Sequence, residues 1–140
     1  MSRRSFDEVA AGDTFGPVDV AVTRAGLKAY ADASGDQNRI HQDEEFATSV
    51  GLPNVIAHGM WTMGATSSVL TDWLGDAGAV LKIGTRFTSM VPVPVDGNTV
   101  VVSGVVKSVD ADTRQATVDL TTTCDGTKVL GRCQALVQLA

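Results

Sequence analysis

The residues best suited to chemistry are two histidines and a polar loop around the first of them. His41 and His58 are the only histidines among the 140 residues, and Asp36 and Asn38 precede His41 closely. A carboxylate and an imidazole that share one water can exchange protons with it, which is general acid–base catalysis. The same residue types also suit an ordinary turn, in which Asp36 and Asn38 bond the backbone and His41 has no role. The residues alone leave both interpretations open.

The elements before and after this loop follow from local patterns. Alternating valines predict a strand from Phe15 to Val22. A helix follows it, capped by Thr23 and ended by Gly35, because glycine suits the left-handed conformation at which helices commonly end. Asp43 then caps a short second helix that reaches Val50. The polar loop is therefore predicted to lie between two helices.

The remaining chain predicts one long helix and a sheet. The segment from Gly59 to Leu74 is apolar nearly all round, so it belongs in an interior. Four segments rich in valine and threonine are predicted strands: Ala79 to Met90, Thr99 to Val109, Arg114 to Cys124 and Thr127 to Leu139. A long helix wrapped by an antiparallel sheet is an α+β hot dog fold, predicted as one domain over residues 1–140. The exposed edges of such a sheet favour a dimer.

The last hairpin has a predicted register. If Asp125 and Gly126 form a two-residue turn, the strands on either side pair directly across it. The expected partners are Val118 with Cys133, Leu120 with Gly131, Thr122 with Val129, Asp119 with Arg132 and Thr123 with Lys128. Cys124 and Cys133 would then lie about 20 Å apart, too far for a disulfide. Both thiols are predicted to be core residues.

Composition excludes several classes of partner. The chain has 16 acidic and 11 basic residues and a net charge of −5, so neither nucleic acid nor an anionic membrane is expected to bind it. The first residues include arginines but no apolar stretch after them, and the long uncharged stretch around the central helix contains polar residues. We therefore expect no signal peptide, no transmembrane span and a cytoplasmic location.

Two segments carry a resemblance to a known family. The first holds an aromatic, Gly-Asp-x-Asn, an aliphatic, a histidine and a small residue, here Tyr30, Ser34, Gly35, Asp36, Asn38, Ile40, His41 and Ala47. The second is Ile56-Ala57-His58-Gly59-Met60. Together they resemble the MaoC-like (R)-specific enoyl-thioester hydratases and dehydratases. Arg39 stands where the family has proline. The run Val91-Pro92-Val93-Pro94 is most similar to the catalytic subunit of mycolic-acid-type 3-hydroxyacyl-carrier-protein dehydratases.

The resemblance implies a role for each site residue. Asp36 and His41 would hold a water and share the proton transfers, and the backbone N–H of Gly59 would bind the thioester oxygen. Asn38 would orient the loop. Ser67, about two helical turns beyond Gly59, would face the same site or simply pack in the helix. His58 is interpreted as a structural histidine, and neither a metal nor a redox cofactor is expected.

The resemblance also implies a class of substrate and an oligomeric state, and it leaves more than one reaction open. The substrate would be a coenzyme A or acyl-carrier-protein thioester, hydrated or dehydrated at the acyl chain. Hot dog proteins also support thioester hydrolysis, because a fold does not choose a reaction. The chain would act as a homodimer or as the catalytic half of a heterodimer with a related subunit, on which its activity could depend.

Overall fold

The computed structural model describes residues 2–140. Its helices are α1 (Arg24–Ser34), α2 (Glu44–Ser49) and α3 (Gly59–Leu74). Its strands are β1 (Thr14–Val22), β2 (Val80–Phe87), β3 (Asn98–Asp110), β4 (Gln115–Cys124), β5 (Thr127–Lys128) and β6 (Leu130–Gln138). Short 3-10 turns cover Phe6–Glu8, Arg39–His41 and Ala77–Ala79. No helix within residues 2–140 is both long and apolar enough to cross a lipid bilayer.

The strands form one antiparallel sheet in the order β1-β3-β4-β6-β2, with β5 paired to β4. The helix α3 packs against this sheet and has the predicted bounds. Its buried residues are Thr62, Ala65, Thr66, Val69, Leu70 and Leu74. Because apolar side chains of the sheet bury the same helix, the predicted α+β architecture is confirmed.

A buried hydrogen bond joins the central helix to the middle of the sheet. The hydroxyl oxygens of Thr66 on α3 and Thr122 on β4 lie 2.6 Å apart, and both residues are fully buried. Thr66 Oγ1 also lies 3.0 Å from the carbonyl of Thr62. A carbonyl only accepts, so Thr66 donates to Thr62 and Thr122 donates to Thr66. Both hydroxyls are thereby satisfied inside an apolar core.

The predicted hairpin register is correct at the turn and wrong beyond it. Thr123 faces Lys128 as expected, but Leu120 faces Cys133 and Asp119 faces Gln134. Arg132 has a φ of 47°, which marks a bulge that adds two residues to the second strand. The residues of this bulge face β2 instead, where Gly131 pairs with Arg86. Since the shift is even, Cys133 stays on the buried face and Arg132 on the exposed face, as predicted.

The further register partners follow the same shift. Val118 faces Ala135 rather than Cys133, and Gln134 rather than Arg132 bonds Asp119, at 2.8 Å. The strand predicted from Ala79 to Met90 is β2, which ends earlier, at Phe87.

Both cysteines are free and buried, as expected. Burial, with the neighbouring Asp125 carboxylate, raises the pKa of Cys124 to about 11, and burial raises the pKa of Cys133 as well. A thiol that stays protonated is a poor nucleophile. Neither cysteine has the character of a catalytic group.

Candidate active site

The loop between α1 and α2 is shaped by side-chain bonds to its own backbone. Gly35 ends α1 with a φ of 83°, as predicted. The carboxylate of Asp36 then accepts from the N–H of Asn38 at 3.2 Å, and the Asn38 side chain accepts from the N–H of Ile40 at 3.2 Å. These bonds turn the chain so that His41 points inward. Asn38 therefore lies where it can orient the loop.

His41 is held in one ring orientation beside Asp36. Its side chain is buried, and Nδ1 lies 2.7 Å from the carbonyl oxygen of Ile56. The carbonyl only accepts, so Nδ1 carries the proton and Nε2 of the neutral ring is left as an acceptor. Nε2 lies 4.0 Å from Asp36 Oδ2. This gap is too long for a direct hydrogen bond and suits a bridging water.

Asp36 presents its carboxylate to solvent on the other side of this gap. Its side chain is 52% exposed, whereas that of His41 is 9% exposed. The two groups thus combine an accessible carboxylate with a fixed, shielded imidazole. Such a pair can hold a water at the edge of the protein interior and exchange protons with it.

His58 lies directly beneath this pair, a placement that sequence reasoning missed. Its ring stacks on His41 with centroids 3.8 Å apart, and Tyr30 packs edge-on against it with centroids 4.7 Å apart. Nε2 of His58 lies 3.1 Å from the backbone oxygen of Asp36. Burial lowers the pKa of His58 below its ordinary value. The only signal in the sequence is that His58 directly precedes the central helix.

Gly59 begins α3 at the wall of an apolar cavity. The cavity has a volume of ≈ 180 Å³, and its lining residues are His41, Ile56, Ala57, Gly59, Thr62, Phe87, Ser89, Met90, Val91, Val129 and Leu130. A Cβ at Gly59 would lie 3.0 Å from the Phe87 ring. Backbone N–H groups in the first turn of a helix have no partner within the helix, and the helix dipole favours negative charge there. His41 and Gly59 therefore face one cavity.

Larger depressions lie elsewhere on the surface, but their lining residues are less suited to catalysis. One of them, with a volume of ≈ 630 Å³, is an open hollow of the sheet whose lining includes Lys107, Asp119 and Arg132. It lacks the pairing of a fixed imidazole with a carboxylate across a short gap. The smaller cavity at His41 is the better candidate for a reaction site.

Ser67 is not brought to this cavity. Its hydroxyl donates to the carbonyl of Met63 at 2.8 Å, within α3. This is the usual bond of a serine inside a helix. The structure thus brings Asp36, His41 and Gly59 to one region and leaves Ser67 apart, while Thr62 and Phe87 join the cavity wall without having been predicted.

The side chains of Asp36, His41 and His58 also lie close enough together to coordinate one metal ion. Each offers one potential metal-ligating atom, and these atoms lie within 4.8 Å of one another. However, one nitrogen of each ring already bonds a backbone carbonyl, and the carboxylate is exposed, an arrangement that is common without a metal. Proximity alone therefore does not make these three residues a metal site.

The chain belongs to the family of MaoC-like domains, whose profile matches residues 8–126. The family resemblance of the two motifs and the hot dog fold are thereby confirmed. A solved structure named MaoC-like dehydratase superimposes with a TM-score of 0.96 and 37% identity, covering 99% of this chain and 43% of that one.

Two curated relatives from Mycobacterium tuberculosis are similar in sequence. The protein named 3-hydroxyacyl-thioester dehydratase Z is 32% identical over 136 residues, which cover 88% of this chain and 89% of that protein. Enoyl-CoA hydratase ChsH3 is 43% identical over 58 residues, 40% of this chain. This chain spans only 20% of the length of ChsH3.

Proposed function

We propose that the protein is an (R)-specific hydro-lyase that adds water to trans-2-enoyl thioesters or removes it from (3R)-hydroxyacyl thioesters. The observation that carries this proposal is the 4.0 Å gap between His41 Nε2 and Asp36 Oδ2. This distance separates two proton acceptors next to the cavity at Gly59, and it supports a water shared between them. The (R) configuration follows from the resemblance of the Asp36 to His41 segment to the family motif.

In the forward reaction, one water lies between the Asp36 carboxylate and the lone pair of His41 Nε2. The water oxygen attacks the β carbon of the enoyl group as its proton passes to this pair. The proton then returns to the α carbon, so that the elements of one water are added. Because both groups lie on one side of the substrate, addition occurs on one face of the double bond.

Negative charge on the thioester oxygen requires a donor. The backbone N–H of Gly59, in the first turn of α3, is the proposed donor, since unpaired amides and the helix dipole stabilise an enolate oxygen there. Glycine permits close approach of the thioester to the backbone. Phe87 and Met90 line the same cavity and would exclude bulk water from the acyl chain.

The proposed substrate carrier is coenzyme A or an acyl carrier protein, and no nucleic acid or membrane is involved. We also propose a homodimer, or a heterodimer with a related subunit. Large apolar side chains around the cavity are exposed, including Met60 at 57%, Phe87 at 55% and Met90 at 47%. A second chain that covers them would shield the cavity. The cytoplasmic location also stays a prediction.

The function is tested with crotonyl-CoA and the purified chain. We expect the enoyl absorbance to fall while no free thiol appears, because hydration leaves the thioester intact. Release of free coenzyme A at the rate of substrate loss would show thioester hydrolysis and contradict the proposal. Longer enoyl-CoA and carrier-protein thioesters, assayed in the same way, identify the preferred substrate.

A further inference from the structure

His58 is a buried titratable group that the proposed reaction does not use, although it contacts both Asp36 and His41. Its side chain is among the largest fully buried ones, with 1% of the residue exposed. Its Nδ1 has no hydrogen-bond partner within residues 2–140. A buried polar atom without a partner is costly, so its retention calls for an explanation.

The two ring nitrogens of His58 have distinct states. Nε2 faces the backbone oxygen of Asp36 at 3.1 Å, and this oxygen only accepts, so Nε2 carries the proton. Nδ1 is then a buried lone pair without a donor among residues 2–140. Protonation of Nδ1 would bury an N–H and a charge without a partner, which is more costly than the bare lone pair. The ring is therefore held neutral in one tautomer.

The charged and titratable groups that face His58 are few. His41 stacks on one side at 3.8 Å, Tyr30 packs edge-on at 4.7 Å, and the Asp36 carboxylate approaches from the loop. A neutral His58 allows His41 to gain a proton, because a second cationic ring in the stack would repel the first. The neutral ring also fixes the plane in which His41 Nε2 faces Asp36.

The segment that carries His58 forms hydrogen bonds to both Asp36 and His41. Ile56 accepts from His41 Nδ1 at 2.7 Å, and its own N–H donates to the carbonyl of Ile40 at 3.1 Å. His58, two residues later, donates to the backbone of Asp36. One short segment thus sets the separation of the carboxylate and the imidazole.

We propose that His58 is a positioning residue of the reaction: its Nε2–H holds the main chain of Asp36 while its neutral ring holds the imidazole of His41. This proposal rests on the proposed function, because it assigns His58 to the same proton-transfer site. It also makes a statement about the resting protein that requires no substrate.

The first test is long-range ¹H–¹⁵N spectroscopy of the wild-type imidazoles between about pH 5 and pH 8, the range in which free histidine titrates. With two histidines in the chain, the variant H58Q assigns the signals. We expect His58 to gain its second proton at a lower pH than a free histidine, and its neutral form to carry the proton on Nε2. A His58 that titrates as in an unfolded chain, or that carries its proton on Nδ1, would overturn the proposal whatever the activity.

The second test compares two variants of His58. H58F keeps a flat ring against His41 but loses the donor to Asp36, and we expect kcat to fall about tenfold to hundredfold with little change in KM, because small displacements of catalytic groups have effects of this size. H58Q restores an N–H donor and should recover part of that loss. A folded H58F with wild-type kcat would overturn the proposal.

A control separates positioning from general stability. V69A removes buried side-chain atoms from α3 eleven residues beyond His58. We expect V69A to lower Tm while keeping kcat. If V69A lowers kcat in proportion to Tm as H58F does, His58 acts only through stability and the proposal fails. If the wild-type chain hydrates no enoyl thioester, the proposed function fails, and the spectroscopic test still decides the state of His58.

Discussion

At the scale of single residues, His58 couples the stability of the fold to pH. Burial holds the pKa of its ring below the ordinary value, and the charge of a protonated His41 acts in the same direction. In the unfolded chain the same ring titrates at about pH 6.5. Below that pH the unfolded state binds a proton that the folded state does not.

The sign of the effect follows from this difference in bound protons. The free energy of unfolding falls as pH drops below about 6.5, because stability rises with pH wherever the unfolded state binds more protons. Urea unfolding of the wild-type chain and of H58Q across this range measures it. We expect a smaller pH slope for H58Q, since the carboxylates are the same in both chains. Equal slopes would contradict the assignment of the effect to His58.

At the scale of elements, the contact between α3 and the sheet depends on two threonines. The hydroxyl of Thr122 donates to Thr66 and has no other hydrogen-bond partner among the described residues, whereas the hydroxyl of Thr66 also donates to Thr62. The two hydroxyls are therefore not equivalent. Removing the hydroxyl of Thr66 strands that of Thr122, but removing the hydroxyl of Thr122 leaves Thr66 satisfied.

Valine substitutions test this asymmetry. We expect T66V to lower the free energy of unfolding by about 1–3 kcal/mol, the cost of a buried hydroxyl without a partner. T122V should cost less, and the double variant should be more stable than T66V because no hydroxyl is left stranded. Urea unfolding measures all three chains. A larger loss for T122V than for T66V would reverse the inferred direction of the bond.

Local patterns predicted the elements well where local forces decide them. The bounds of α3 follow from an apolar segment that begins at Gly59 and ends before Gly75. Gly35 ends α1 because a residue without a Cβ adopts the left-handed conformation at little cost. The register beyond the last turn failed, because the bulge at Arg132 depends on pairing with β2, which is far away in the sequence.

The site was predictable to the same extent. The motif residues Asp36 and His41 lie in one loop, so their proximity follows from the chain. The stacking of His58 on His41 does not, because 17 positions separate them and the contact exists only once α3 is docked. The bond of Ser67 to Met63 lies within α3, and a role for Ser67 at the site stays a prediction.

At the scale of the whole molecule, the cavity is surrounded by large apolar side chains that are exposed to solvent. Met60, Phe87 and Met90 are all about half exposed or more around it. Contiguous apolar surface next to a reaction site is typical of an interface. We therefore expect the functional unit to contain two chains.

An aspartate at Met60 tests this expectation without harming the helix, because acidic residues are favourable in a first turn. Light scattering should give the mass of two chains for the wild type and a shift toward one chain for M60D. V50D is the matched control, because Val50 is 55% exposed against 57% for Met60 but lies at the end of α2. A wild type with the mass of one chain would contradict the homodimer, and an equal effect of V50D would contradict the proposed interface.

The most direct test of the central claim is the hydration of crotonyl-CoA by D36N and H41A. Both changes remove a proton acceptor from the 4.0 Å gap, so we expect each to lower kcat at least about a hundredfold. The Tm of D36N should stay near the wild-type value, whereas H41A should lower Tm and remain folded, because it leaves the carbonyl of Ile56 without its partner. D32N is the control, because it removes an exposed carboxylate that pairs with Lys28, and it should keep the wild-type rate. Wild-type rates in folded D36N and H41A would contradict the assignment of proton transfer to this pair.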